Sequence, residues 1–294
     1  MKRPSHDDGG FNAVSGPEQK AQASNDNKST PPAVTAIPLH SLQQREIFLQ
    51  GAISRDSAHS VIMQMRALAR QNSDPITLWI NSPGGTVNDG LAVFDTMRDL
   101  MSQGIIVKTV SYGISASMGS FLLSAGSPGH RTMLPSAKEM THQPSQGINT
   151  PNEDEAQNHA KSLSETRERM ECHYAHFMGL DFQDEEARTL LKQYMSPDVY
   201  LNAYMAQRLG LIDNIMLQDN DKPQQNLKDE FLRKSIEIDI YLNKREYDNI
   251  DTGRGSTDPR RHVKDLIDYR EAYLAKKATV PAPVVAQTST PGAP

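Results

Sequence analysis

The sequence contains a single cysteine, Cys172, among its 294 residues. That scarcity excludes an internal disulfide framework and a cysteine-rich zinc site. No apolar run approaches the roughly 18 residues that a membrane-spanning helix needs. The segment from Met1 to Gly10 also lacks the apolar core of a secretion signal, so we expect a cytoplasmic protein without membrane contact.

An excess of positive charge is also missing, since 31 Lys and Arg residues stand against 36 Asp and Glu residues for a formal net charge of −5. This balance gives no electrostatic reason to expect nucleic acid or an anionic membrane as a partner. The Gly-x-x-x-x-Gly-Lys-Ser/Thr phosphate loop does not occur either, so the chain is not expected to hydrolyse ATP itself. Nothing in the sequence requires a cofactor.

Both ends of the chain have few large apolar side chains. Residues 1–38 combine prolines with Ser, Asn, Asp and Gln, and residues 278–294 combine prolines with Ala, Thr and Val. Such segments bury too little apolar surface to offset the entropy of ordering. The sequence therefore predicts disordered tails at 1–38 and 278–294, an ordered domain at 39–217 and a small extension at 218–277.

Within the ordered domain, short apolar runs alternate with amphipathic segments. The runs that predict buried strands are Ile47–Leu49, Ile76–Ile80 and Ile105–Val110, and helical spacing marks residues 58–69, 87–100 and 117–125. Strands that alternate with helices predict an α/β fold with right-handed crossovers. Residues 152–178 contain neither Gly nor Pro and predict one long polar helix.

The extension gives two further patterns. Ile236, Ile238, Ile240 and Leu242 alternate with polar residues, which predicts a half-buried strand. Residues 263–274 place Val, Leu and Ile at helical spacing and predict one apolar helix face.

A candidate nucleophile lies in the Gly-Ile-Ser-Ala-Ser-Met-Gly segment at 113–119, between a predicted strand and a buried helix. A hydroxyl there lies near the positive end of a helix dipole, and free backbone N–H groups can hold an oxyanion. Taken alone, the segment favours plain helix capping by Ser115 or Ser117. Gly84 and Gly85 equally allow a tight turn or a backbone that approaches a ligand closely. His142 alone is more often structural, although histidine is the usual general base.

Three segments in this order resemble the proteolytic subunits of the Clp protease family (ClpP): Asn81–Gly85, Ala116–Gly119 and His142–Pro144. Flanking segments agree over residues 45–216, and the serine-to-histidine interval of 25 residues (142 − 117) is also similar. The resemblance implies a ClpP/crotonase-like α/β fold of repeated ββα units with a protruding long helix.

The resemblance also implies a serine endopeptidase. Ser117 corresponds to the nucleophile and His142 to the general base, while the backbone amides of Gly85 and Met118 correspond to the oxyanion hole. Substrate would lie extended beside Gly84 and Gly85 and pair as an added strand.

The acid is assigned by counting back from Gly210, which ends a short helix that Asn202 caps. Asp198 matches the family acid at this distance. Asp181 and Asp184 are the other downstream candidates; Asp181 lies in a turn after Gly179, and Asp184 is predicted to cap a short inserted helix.

The implied partners are polypeptide substrates, further copies of the chain in a double ring of heptamers, and an AAA+ unfoldase ATPase. A non-catalytic or regulatory ring subunit is the alternative, because residues 180–197 carry an insertion and no axial-loop sequence is recognisable before Glu46. A crotonase-type acyl-CoA enzyme is less compatible, because such enzymes need no Ser-His-Asp set. Cys172, His173 and His176 lack a fourth ligand, so no metal is predicted.

Overall fold

The computed structural model describes residues 39–145, 152–216, 230–253 and 256–279. The predicted tail at 1–38 lies outside these ranges. The strands are β1 (Glu46–Gln50), β2 (Ile76–Ser82), β3 (Val107–Ala116), β4 (Arg131–Met133), β5 (Lys138–Thr141), β6 (Val199–Asn202) and β7 (Asn214–Ile215). The helices are α1 (Leu39–Gln43), α2 (Arg55–Ala69), α3 (Val87–Ser102), α4 (Met118–Ser124), α5 (Glu153–Phe177), α6 (Glu185–Met195), α7 (Ala203–Arg208), α8 (Glu230–Asp248) and α9 (Arg261–Thr279).

One sheet carries the fold, and its parallel strands follow the order β1-β2-β3-β4-β7. Helices α2, α3 and α4 connect successive strands, as parallel pairing requires. The strand β3 is long enough to pair twice: residues 109–111 pair with β4, and residues 114–116 pair with β5. The second pairing continues into the antiparallel pair β5–β6. The carboxyl end of β3 therefore meets the carboxyl end of β5.

The predicted α/β fold is confirmed, as are the three predicted strands and the helices that follow them. The third strand runs beyond the predicted end at Val110 as far as Ala116. Gly113 allows this continuation, because its φ of +84° belongs to the left-handed region and a side chain there would meet Asn81 Oδ1 at 2.8 Å. The Asn81 side chain also accepts a hydrogen bond from the Ile114 amide at 3.2 Å.

The long polar helix is confirmed as α5, which begins after the cap residue Asn152 and ends at Phe177. Its buried residues, Met170, Glu171, Tyr174 and Ala175, all fall in the final third of the helix. The first two-thirds are mostly exposed, which agrees with the predicted protruding helix.

The predicted strand at 236–242 is wrong, because these residues belong to α8. The buried positions of this segment, Ile236, Tyr247 and Ile250, recur at helical spacing, whereas Ile238 and Leu242 are 49% and 41% exposed. The alternation covers only seven residues, whereas the buried Ile236 and Tyr247 lie on one face of a helix of 19 residues. The burial pattern therefore follows the 3.6-residue period of a helix and not the two-residue period of a strand.

The C-terminal helices complete the core of the domain instead of forming a unit apart. On α9, Val263, Leu266 and Ile267 are fully buried in the same apolar cluster as the sheet. Arg270 donates hydrogen bonds to the carbonyl oxygens of Met178 at 2.7 Å and Arg208 at 2.9 Å. The predicted helix in this segment is confirmed, and it continues through Thr279, past the predicted start of the tail at 278. Residues 280–294 lie outside the described ranges.

In the part of the chain that the structure describes, no helix combines the length and the apolar character that crossing a bilayer requires.

Candidate active site

The antiparallel pair β5–β6 brings a histidine and an aspartate together. Thr141 pairs with Val199, so the next residues outward in the same register are His142 and Asp198. The Nδ1 atom of His142 lies 3.0 Å from Oδ1 of Asp198. Beyond the strand, the Gln143 amide donates to the Met195 carbonyl at 3.0 Å and fixes the chain that follows the histidine.

The parallel pair β3–β5 brings the serine to the same point. Ala116 pairs with Met140, and the Ser117 amide donates to the Met140 carbonyl oxygen at 2.7 Å. The Ser117 Oγ atom lies 2.9 Å from Nε2 of His142. Ser117, His142 and Asp198 thus form one hydrogen-bonded chain, called here the Ser–His–Asp cluster.

The backbone at Ser117 has a conformation that few residues adopt. Its φ is 54° and its ψ is −124°, and among the described residues Arg45 is the one other non-glycine residue with a positive φ. Such a conformation costs about 1–3 kcal/mol and persists where the surrounding structure enforces it. Here the strand end and the start of α4 enforce it, and the result is a sharp turn that presents the hydroxyl to His142.

The helix-capping interpretation fails for both serines. The Ser117 side chain makes no capping hydrogen bond to α4. Ser115 is fully buried, and its hydroxyl donates to Ser111 Oγ at 2.7 Å. Of the two serines in this segment, Ser117 is therefore the one that reaches the histidine.

Gly84 and Gly85 pass so close to their neighbours that side chains would not fit. A Cβ on Gly84 would lie 2.5 Å from the Ser117 Cβ, and one on Gly85 would lie 2.0 Å from the Ile53 carbonyl oxygen. Both residues have positive φ, +95° and +155°. Gly84 is thus required by its close approach to the serine turn, and Gly85 by its close approach to the Ile53 backbone.

Two backbone amides beside Ser117 are available as donors. The Ile53 amide donates to the Gly84 carbonyl at 2.8 Å, and the Thr86 amide donates to the Ile53 carbonyl at 2.9 Å. These two hydrogen bonds use the Gly84 carbonyl and the Thr86 amide, which flank Gly85. The amide of Gly85 itself has no acceptor among the described residues. Met118 opens α4, and the amide of a first helical residue has no partner within its helix.

A cavity of about 420 Å³ opens next to Gly85. Its walls also include Val87 at the start of α3, Pro144 two residues after His142, and His159 and Leu163 on α5. The cavity is large enough for a side chain of a bound ligand.

Exposure to solvent differs between the members of the Ser–His–Asp cluster. The His142 side chain is 24% exposed, and the Asp198 side chain is 67% exposed. The serine and histidine are thus shielded, while solvent reaches the acid between α6 and β6.

The cysteine and histidines of α5 have a packing role. The His173 ring lies 5.0 Å from the Phe94 ring and stacks on Phe177 at 6.1 Å. Burial, followed by the charges of Arg98 and His176, lowers the pKa of His173. Among the described residues, no group of three His, Cys, Asp or Glu side chains is placed to hold a metal ion.

The sequence analysis missed one buried group behind this site. Glu139 on β5 is fully buried, three residues before His142, and its carboxyl group contacts the hydroxyls of Ser120 and Thr141. The available signal was weak: a glutamate three residues before the candidate catalytic histidine.

A serine bonded to a histidine that is itself bonded to an aspartate, with free amides beside the hydroxyl, is the arrangement of serine hydrolases. A comparison with known protein families agrees with this class: residues 33–219 match the Clp protease family model, and the chain belongs to that family. It is 36% identical over 179 residues to the ATP-dependent Clp protease proteolytic subunit 2 of Prochlorococcus marinus (strain MIT 9313). The match covers 60% of this chain and 85% of that protein.

Proposed function

We propose that this Clp protease family member is an active serine endopeptidase that cleaves unfolded polypeptides. The observation that carries the proposal is the hydrogen-bonded Ser–His–Asp cluster, with contacts of 2.9 Å from Ser117 to His142 and 3.0 Å from His142 to Asp198.

In the proposed reaction, Ser117 Oγ attacks the carbonyl carbon of the scissile peptide bond while His142 Nε2 takes the hydroxyl proton. Asp198 accepts a hydrogen bond from Nδ1–H and so keeps Nε2 free as the base. The oxyanion of the tetrahedral intermediate binds to the Gly85 and Met118 amides. His142 then gives its proton to the leaving amine. Water next attacks the acyl-serine ester while His142 takes its proton, and His142 returns that proton to Ser117 Oγ as the acid product leaves.

The substrate would bind as an extended chain. A peptide would run beside Gly84 and Gly85 as an added strand, since neither residue has a side chain in the way. One substrate side chain would then enter the cavity between Val87 and Leu163.

Assembly and an ATPase partner belong to the same proposal. The relative from Prochlorococcus marinus is named as a subunit of an ATP-dependent protease. We infer that this chain also forms a homo-oligomer, a double ring of heptamers, and works with an unfoldase. An aromatic cluster on the sheet is a candidate docking surface for the ATPase. In this cluster Trp79 stacks on Phe48 at 6.0 Å and meets the edge of Tyr112 at 6.0 Å.

A sizing experiment tests this proposal. The purified protein is expected to elute as a large ring, with cleavage of a short fluorogenic peptide and labelling by a serine-directed fluorophosphonate in the same fractions. Light scattering on those fractions gives the mass. A ring that neither cleaves peptide nor takes the label would favour the non-catalytic alternative, and a monodisperse monomer that cleaves peptide would contradict the assembly.

Substituting Gly85 tests the proposed oxyanion hole. Gly85→Ala is expected to lower kcat/KM for the peptide at least about 100-fold, because the new Cβ must displace the backbone from Ile53 and loss of one oxyanion donor costs this much. Gly104→Ala is the matched control: its φ is +83° but nothing lies within 4 Å of the new Cβ. The control should lose some thermal stability and keep its activity; full activity in Gly85→Ala would exclude this amide as a donor.

A further inference from the structure

Glu139 is a buried acid for which the proposed reaction has no use. Its side chain is fully buried, and it has no salt-bridge partner among the described residues. Burying a carboxyl group without a cation is costly, so this residue requires a physical explanation.

Two hydroxyl groups contact one oxygen of this carboxyl group, and a third contacts one of those hydroxyls. Ser120 Oγ and Thr141 Oγ1 both donate to Glu139 Oε1, the latter at 2.5 Å, and they lie 2.8 Å from each other. The Tyr174 hydroxyl donates to Ser120 Oγ at 3.2 Å. These three residues are called the hydroxyl cluster.

The hydroxyl cluster connects the elements that carry the Ser–His–Asp cluster. Ser120 lies one turn into α4, which begins directly after Ser117. Thr141 is the last residue of β5 and directly precedes His142. From α6, the helix that leads to Asp198, the Tyr194 hydroxyl faces the same carboxyl group without reaching hydrogen-bond distance, and both it and Glu139 Oε2 are buried without a partner.

We propose that Glu139 is a positioning residue for the Ser–His–Asp cluster: its carboxyl group holds α4 against β5 and thereby sets the distance between Ser117 and His142. The inference rests on the proposed peptidase function. Neither Ser117 nor His142 touches Glu139, so Glu139 acts through the backbone of α4 and β5.

The protonation state of Glu139 decides how well it performs this role. Burial raises the pKa of its carboxyl group to about 7, although the hydrogen bonds from Ser120 and Thr141 act in the opposite direction. The titratable groups that face it are Tyr174 from α5 and Tyr194 from α6, and burial raises the pKa of both phenols, so both are neutral in this range.

Ionisation places a negative charge at a site where no cation lies against it and where the Ser120 and Thr141 hydroxyls are already in short contact with Oε1. Further stabilisation of the charge therefore requires water to enter beside the unpartnered Oε2. Such opening would shift α4 relative to β5 and so disturb the contact between Ser117 and His142. We therefore expect turnover to fall as the pH rises through and above 7.

The test is the pH profile of kcat and KM for the peptide between pH 5 and 9.5, with the fluorophosphonate labelling rate at each pH. The wild type is expected to lose about tenfold in kcat on the alkaline side at constant KM. Glu139→Gln, which stays neutral, should keep its pH 6.5 activity within about threefold and lose the alkaline decline. Glu171→Gln is the matched control, because Glu171 is also buried but is paired with Arg167 and Lys192, and its profile should follow the wild type.

A second variant does not depend on folding of Glu139→Gln. Ser120→Ala combined with Thr141→Val removes the two hydrogen bonds through which Glu139 is proposed to hold α4 against β5, so kcat should fall at every pH and the alkaline decline should disappear. Persistence of the wild-type decline in Glu139→Gln or in the double variant would overturn the proposal. A wild type with no cleavage and no labelling at any pH would instead refute the peptidase function.

Discussion

Replacing Ser117 by alanine is expected to abolish fluorophosphonate labelling and to lower kcat for peptide cleavage by roughly 10⁶, the scale of loss when a catalytic serine is removed. The reason is that Oγ is the atom that His142 activates, at 2.9 Å. The measurement is single-turnover labelling together with steady-state cleavage on the assembled protein.

Ser115→Ala is the matched control, two residues away on the same segment. Its hydroxyl is buried against Ser111 and does not face the histidine, so this variant should label and cleave normally. It should lose about 1 kcal/mol of stability, which is the usual net contribution of one hydrogen bond. Equal loss of activity in both variants would place the nucleophile elsewhere.

The second large effect is expected from Asp198→Asn, which should lower kcat by about 10⁴. An amide can donate to Nδ1 of His142, and this donation favours the tautomer whose Nε2 carries the proton and cannot act as a base. The fold should survive, because Asp198 is 67% exposed and the pair β5–β6 holds its backbone. Circular dichroism and sizing would verify the fold, and the pH profile would report the altered base.

Asp181→Asn and Asp184→Asn serve as controls for the choice of acid. Asp181 accepts a hydrogen bond from the Gln183 amide in a turn. Asp184 caps α6 through the Ala187 amide, and a hydrogen bond from Tyr269 holds its pKa below the usual range. Both variants should lose modest stability, of the order of 1 kcal/mol for the cap, and keep their turnover. Full activity in Asp198→Asn would leave a dyad of Ser117 and His142 or a different acid.

Patterns with a local physical cause were predictable. The capping of α6 by Asp184 follows from an aspartate before two glutamates and an apolar stripe, and the structure confirms this cap. The long helix α5 follows from 25 residues without a breaker. The contact between Ser117 and His142 was expected from ordered motifs and not from periodicity, because residues that meet at the ends of two strands have no local signal in the sequence.

Features that depend on distant packing were not predictable. The face of α8 that includes Ile236 and Tyr247 becomes visible only when the helix is placed against α7 and β6, and the seven-residue alternation was misleading without that context. Glu139 looks like an ordinary charged residue until β5 is seen between α4 and the ends of α5 and α6. Its partner Ser120 is 19 residues away in sequence, and Tyr174, which donates to Ser120, is 35 residues away.

Helix α9 follows every residue of the proposed triad in the sequence, so it is synthesised after them. Its residues Val263, Leu266 and Ile267 fill the core next to α6, the helix that leads into Asp198. Synthesis runs from the N-terminus at about 5–20 residues per second, so the roughly 80 residues between Asp198 and the end of α9 take roughly 4–16 s. During this time the chain already carries every residue of the proposed triad, yet lacks the packing that supports its acid. We therefore expect the proposed peptidase activity to appear only once α9 has packed against α6.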